Sequence, residues 1–277
     1  MTTGSTSIAA EAPGAAFTPG SVTAGGFTVR YFEAGAGSPI VVLHGAGGPR
    51  FTVALDLLAR DHRVVLIELP GWGEEPNTRT ETLAELADTV AEAVAAIGIE
   101  KYHLLGTSMG GATAVWVALN HPERLISLVL EAPATFRVGA TPPGPGVPPE
   151  EMLRRFRVHP ERTPAFDAPD PAAQAKFWPL VEKLLASRPE YDEEVAALLP
   201  SCTVRTLVLF GDEDGIVPAA NGRIFRRLLP NSVYLLVHQA AHDIQGDRAE
   251  AFAETVGDFV DRGLQFFLPE TSTLINP

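Results

Sequence analysis

The stretch "HLLGTSMGGATAVW", His103 to Trp116, changes character in its middle. A leucine-rich lead-in stops at Gly106, one serine follows among glycines, and an apolar run resumes. Gly106-Thr107-Ser108-Met109-Gly110 is a G-x-S-x-G motif, and the flanking patterns predict a strand before it and a helix after it. A sharp strand-to-helix turn holds such a serine in a strained backbone and aims its Oγ out of the sheet. Bulky neighbours would collide there, which accounts for the glycines. The N-terminus of the following helix favours negative charge developing beside it.

Outward from this turn, "PIVVLHG", "HRVVLIELPG", "YHLLG", "LISLVLEAP", "VRTLVLFG" and "SVYLLVH" are short, nearly continuous apolar runs, as strands buried on both faces require. Phe27 to Phe32 alternates like a half-buried strand. Helical patterns separate several of these runs. Thr82 and Glu85 form a capping box, and Leu83, Leu86, Val90, Val94 and Ile97 share one stripe that stops at Gly98. Met109–Asn120, Ala219–Leu229 and Arg248–Val260 also read as helices. The alternation predicts an α/β fold with a mostly parallel central sheet flanked by helices. It breaks after a proline-glycine connector, "GATPPGPGVPPEE", beyond which Glu150–Val158, Pro171–Ser187 and Tyr191–Leu199 look helical. The predicted organisation is a flexible N-terminal tail (1–20), a core (21–134 and 201–277) and an inserted helical lid (135–200).

Composition bounds the function. The chain has 277 residues, 45% of them hydrophobic, which suits one large domain with an insertion. Its formal net charge of −13 argues against nucleic acid and anionic membrane surfaces as partners. The first twenty residues have no basic or sustained apolar segment of the kind a signal peptide carries, and no run is long enough to span a bilayer. The single cysteine, Cys202, excludes an internal disulfide, and the expected compartment is the cytoplasm. A small molecule is the expected partner. Phe266 and Phe267 can pack on the core or on a second subunit, so a homo-oligomer is a further expectation.

A serine nucleophile needs a base, and the base needs an orienting acid. His242, in the loop "QAAHDIQG" after the last strand, is the preferred base, with His238 at the strand end as its competitor. Acid candidates are Asp212, Glu213 and Asp214 in "LVLFGDEDGIVP", together with Glu131 at the end of the preceding strand; spacing does not separate them. Oxyanion donors are expected at the Met109 N–H and, from the loop "HGAGG", at Ala46 or else Gly47. His44 reads as a structural loop residue. No ligand cluster suggests a metal, and no cofactor is required.

Taken together, "HGAGG", "LPGWGEEP", "GTSMGG" and "GDEDGIVP", followed by His242, resemble the α/β-hydrolase superfamily from about Phe27 to Val260. The resemblance implies the α/β-hydrolase fold and places the acid of the catalytic triad on Asp214. It implies attack by Ser108 on a carbonyl, with His242 as base, Asp214 steadying the imidazolium, an acyl-enzyme and its release by water. Within the superfamily, "LLGTSMGGATAVWVALNHPERLISLVLEAP" looks like the meta-cleavage-product hydrolases, which split a carbon-carbon bond in a vinylogous diketo acid. Two positions depart from that group: Gly48 precedes Pro49, and Asp243 rather than tryptophan follows His242.

The lid adds candidates for substrate binding. One of Arg154, Arg155 and Arg157 is expected to bind a carboxylate if the substrate is an acid, although a solvated helix face is the plainer reading. Phe177 and Trp178 can wall an apolar pocket or simply pack the lid, and Trp72 lies near the expected crevice mouth. Three functions follow: a serine hydrolase of an ester, thioester or lactone; a carbon-carbon hydrolase; and a ligand-binding protein that keeps the hydrolase fold.

Overall fold

The computed structural model describes residues 12–140, 147–162 and 171–266. The start of the expected tail, part of the proline-glycine connector and Phe267 lie outside the described residues. Eight strands form one sheet: β1 (Thr18–Ala24), β2 (Phe27–Ala34), β3 (Pro39–Leu43), β4 (Arg63–Ile67), β5 (Tyr102–Thr107), β6 (Leu125–Glu131), β7 (Thr206–Gly211) and β8 (Ser232–Val237). Their order is β1-β2-β4-β3-β5-β6-β7-β8. β1 pairs antiparallel with β2, and β2 with β4; all other neighbours are parallel. This is the α/β-hydrolase arrangement, a mostly parallel sheet with helices on both faces.

Side chains alternate across a strand, so each buried strand feeds two cores. Val41, Leu43, Leu104, Val208 and Phe210 point to one face. There they meet α2 (Leu83–Ala96) and α3 (Met109–Asn120). Ile40, Val42, Leu105, Leu207 and Leu209 point to the other. That face is covered by α1 (Val53–Leu58) and, near the C-terminus, by a helix over Ala249–Arg262. The predicted cap of α2 forms: Thr82 Oγ1 accepts from Glu85 N at 3.1 Å, while Glu85 reaches back to Glu81 N rather than to Thr82 N. Phe266 is half-buried and packs against the core on Phe259, with ring centroids 5.7 Å apart.

Between β6 and β7 the chain leaves the sheet and forms α4 (Pro149–Phe156), α5 (Pro171–Val181), continued by a π-turn over Glu182–Ala186, and α6 (Glu193–Leu198). These insertions form the lid region. The chain returns through α7 (Gly222–Leu228), α8 (Ile244–Asp247) and α9 (Ala249–Arg262). Among the described residues no helix is long and apolar enough to cross a membrane.

Phe259, on the inner face of α9, is fully buried. Phe259→Ala is expected to cost about 3–5 kcal/mol of stability through lost burial and an unfilled cavity; urea unfolding of the purified chain measures it.

Candidate active site

At the β5–α3 junction Ser108 has φ 54° and ψ −112°, a backbone that L side chains rarely adopt. The strain is held from several sides. Ser108 N donates to Glu131 O at 2.9 Å, and Ser108 O accepts from Ala112 N at 3.0 Å and Ala134 N at 2.9 Å. The glycines are a steric requirement. A Cβ on Gly106 would lie 2.5 Å from Gly110 O, and one on Gly110 would lie 2.3 Å from Leu43 O. Met109 N opens α3, where the first amides have no acceptor within the helix.

The loops after β7 and β8 bring a carboxylate and an imidazole together. His242 Nδ1 lies 2.9 Å from Asp214 Oδ2, and both side chains are almost wholly buried. Asp214 Oδ1 accepts from Ile216 N at 2.8 Å and Val217 N at 2.9 Å, so the carboxylate cannot turn away from the ring. Burial opposes a charge on His242. The Asp214 carboxylate alongside it, then Glu131 and Asp243, outweigh that effect and raise the imidazole's pKa above its ordinary value. The competing pair is of another kind. His238 Nδ1 meets Asp212 Oδ2 at 2.6 Å, but the His238 side chain is 83% exposed. Among the described residues His242 Nε2 and Ser108 Oγ form no hydrogen bond.

The loop after β3 lies against the serine, since a Cβ on Gly45 would sit 3.4 Å from Ser108 Cβ. His44 holds the loop in place. Its Nε2 accepts from Leu69 N at 3.0 Å, which leaves Nδ1 to donate to Gly45 O at 2.7 Å. Burial pushes the His44 pKa down to about 4, so it stays neutral and structural. Ala46 is half-buried and Gly47 exposed. Trp72 braces this loop by donating from Nε1 to Ala46 O at 2.9 Å.

The lid residues divide. Phe177 is buried and stacks on Trp72, with centroids 5.4 Å apart and planes at 20°. Trp178 is half-buried, and its Nε1 donates to Glu182 Oε1 at 3.1 Å. Arg154 is exposed, and Arg155 pairs with Glu151 one turn away. Arg157 is buried, and its Nε donates to Asp243 Oδ2 at 2.7 Å. Phe156 presents its ring edge-on to His242 at 5.3 Å.

Three buried polar residues escaped the sequence reading in these roles. Gln245 Nε2 donates to Glu131 Oε2 at 2.6 Å and to Thr107 Oγ1 at 3.3 Å, while its Oε1 accepts from Thr52 Oγ1 at 2.9 Å. Thr107 Oγ1 also donates to Glu131 Oε2 at 2.6 Å, so Glu131 secures the turn beneath Ser108. Asp247, fully buried, accepts from His159 N and Ala241 N, each at 2.8 Å, and from Val158 N, which ties the lid to the His242 loop.

A strained serine at a strand-helix turn, a buried histidine-carboxylate pair and a glycine loop at one edge of a mostly parallel sheet define a class of hydrolases. The chain belongs to the alpha/beta hydrolase family, whose model matches residues 40–255. It is closely related to the branch that holds meta-cleavage-product hydrolases and esterases. A 2-hydroxy-6-oxononadienedioate/2-hydroxy-6-oxononatrienedioate hydrolase of Cupriavidus pinatubonensis is 30% identical over 84% of this chain and 91% of its own. A pimeloyl-(acyl-carrier protein) methyl ester esterase of Aeromonas hydrophila is 31% identical over 82% of this chain and 96% of its own. The crystal structure of a bacterial membrane phospholipase A superposes with a TM-score of 0.73 at 26% identity, covering 90% of this chain and 87% of the other.

Replacing a helical glycine by alanine ordinarily gains about 1 kcal/mol. Gly110→Ala is expected instead to lose about 2 kcal/mol or more, because its Cβ meets main-chain oxygens. Gly47→Ala, with nothing within 4 Å of its Cβ, is the near-neutral control, and urea denaturation of both variants reads the contrast.

Proposed function

We propose that the chain is a serine hydrolase that cleaves a carboxylic ester, thioester or lactone of a small organic substrate through Ser108, His242 and Asp214. The observation that carries this reading is the buried Asp214–His242 pair on the loops that flank the strained Ser108 turn. Asp214, fixed by two backbone amides, holds the Nδ1–H tautomer and leaves Nε2 free of a proton. As substrate binds, Nε2 closes to hydrogen-bond reach of Oγ and takes its proton while Oγ attacks the carbonyl. Charge then develops on the carbonyl oxygen, towards the N–H groups of Met109 and Ala46. His242 passes the proton to the leaving group, and water, activated by the same imidazole, releases the acyl group.

Likeness to the nonadienedioate hydrolase supports a second reading, carbon-carbon cleavage of a vinylogous diketo acid. The lid arginines weigh against it. Arg157 is engaged by Asp243, Arg155 by Glu151, and Arg154 is exposed. A neutral acyl substrate asks for none of them. A screen of acyl esters, lactones and vinylogous diketo acids, with Ser108→Ala as blank, decides between the two. A fluorophosphonate that fails to label Ser108 would leave the ligand-binding reading.

Ser108→Ala and His242→Ala are each expected to lower turnover at least about ten-thousand-fold, with little further loss in the double variant, since the residues act as a unit. Asp214→Asn should cost about a thousandfold or more and Asp212→Asn little; the reverse order in steady-state assays rejects the choice of acid. Because His242 must be neutral to accept a proton and its pKa is raised, activity should fall as pH drops through a midpoint above the ordinary value of about 6.5. A pH profile of kcat/KM places that midpoint.

A further inference from the structure

Asp243, the residue after His242, is 5% exposed. A carboxylate so placed needs partners, and it has two guanidinium groups from different parts of the chain. Arg157, beyond the end of α4, bonds Oδ2 at 2.7 Å with its own side chain 3% exposed. Arg50, from the loop after β3, bonds Oδ1 with its side chain 40% exposed. The backbone joins in: Asp243 N donates to Phe156 O at 2.9 Å, and Oδ1 accepts from Gly246 N at 3.2 Å. One carboxylate therefore links the lid, the oxyanion-side loop and the loop that carries His242.

Packing alone does not account for the cluster. Apolar residues of similar volume usually fill such a space at no loss of stability. What they cannot supply is charge beside the imidazole. The groups around His242 are Asp214 from the β7 loop, Glu131 from the end of β6, Asp243 on its own loop and the Phe156 ring edge from the lid. Arg50 and Arg157 both bond the Asp243 carboxylate.

We propose that Asp243 is a positioning residue, and that the Arg50–Asp243–Arg157 cluster both fixes the His242 loop against the lid and adjusts the proton affinity that Asp214 chiefly gives the imidazole. The two guanidinium groups offset the Asp243 charge, so His242 is protonated less readily than beside a bare carboxylate. Burial on its own raises the Asp243 pKa, and Arg50 and Arg157 override it and hold the group ionised. The proposal rests on His242 being the base of the serine hydrolase described above.

The test is the titration of His242 in the whole chain, followed by NMR of protein labelled with 15N-histidine, with the signal assigned by its loss in His242→Gln. Arg50→Met and Arg157→Met remove a positive charge and are expected to raise the midpoint. Asp243→Asn leaves two guanidinium groups without their carboxylate and is expected to lower it. Each shift should be about 0.5–1 pH unit for a unit charge screened through one neighbour. Arg157→Lys, which keeps the charge, should stay near the starting midpoint. The acid limb of kcat/KM should move with the imidazole. If Arg157→Met does not fold, Arg50→Met carries the test, because that side chain is partly exposed. Unchanged midpoints, or shifts of the same sign from Arg50→Met and Asp243→Asn in folded protein, overturn the proposal. Failure of the hydrolase reading shows separately, as unlabelled Ser108 in the unaltered chain, while the titration still reports on the cluster.

Discussion

The turn at Ser108 exists because three side chains are missing around it. β5 runs beside β3, and α3 starts so close to that strand that a methyl group on Gly110 would overlap Leu43 O. Gly111 is closed in by Pro133 in the same way, and Gly106 by Ala114. The approach leaves no room for an ordinary strand-to-helix link, so the backbone passes through the unfavourable φ at Ser108. The strain persists because hydrogen bonds from β6 and from α3 over-determine it. The parallel register then does the rest: Thr107 opposite Glu131, and Gly211 opposite Val237, bring the ends of β5 to β8 to one edge of the sheet.

At that edge buried polar groups join the loops to one another. Glu131 and Gln245 tie the Ser108 turn to the His242 loop. Asp247 binds the lid through backbone amides, and Asp243 reaches both the lid and the loop after β3. Such groups are costly when half satisfied and rigid when fully satisfied, which suits a place where small displacements matter. Aromatic contacts add to this: Trp72 stacks on Phe177, and the rings of Trp72 and Phe156 are set edge-on against His44 and His242.

Much of the fold was legible because its signals are local. Strands buried on both faces leave continuous apolar runs, and a crowded turn leaves glycines around a serine. β1 was not recognised as a strand, since "TPGSVTA" carries proline and glycine and sits largely exposed at the sheet edge. Its one clear trace was Gly25-Gly26, both at positive φ in the hairpin turn. The buried histidine–carboxylate pair was legible only in part. Asp212 and Asp214 each meet a histidine across the β7–β8 register, and what separates the pairs is burial, which spacing does not encode. The partners of Arg157 and Gln245 lie far along the chain and leave no periodic trace. The lid arginines therefore read as a loose basic cluster, whereas one of them closes a buried ion pair.

The lid enters between β6 and β7, which pair directly although more than seventy residues separate them. Closing a chain loop costs entropy that grows only with the logarithm of its length, about 0.6 kcal/mol for each doubling. The sheet is thus nearly indifferent to how much chain is looped out at this point. What the insertion must preserve is its few anchoring bonds to the core, among them those to Asp243 and Asp247. Between those anchors its length and sequence can drift at little energetic cost, so new substrate-facing surfaces can arise without disturbing the strands that hold Ser108.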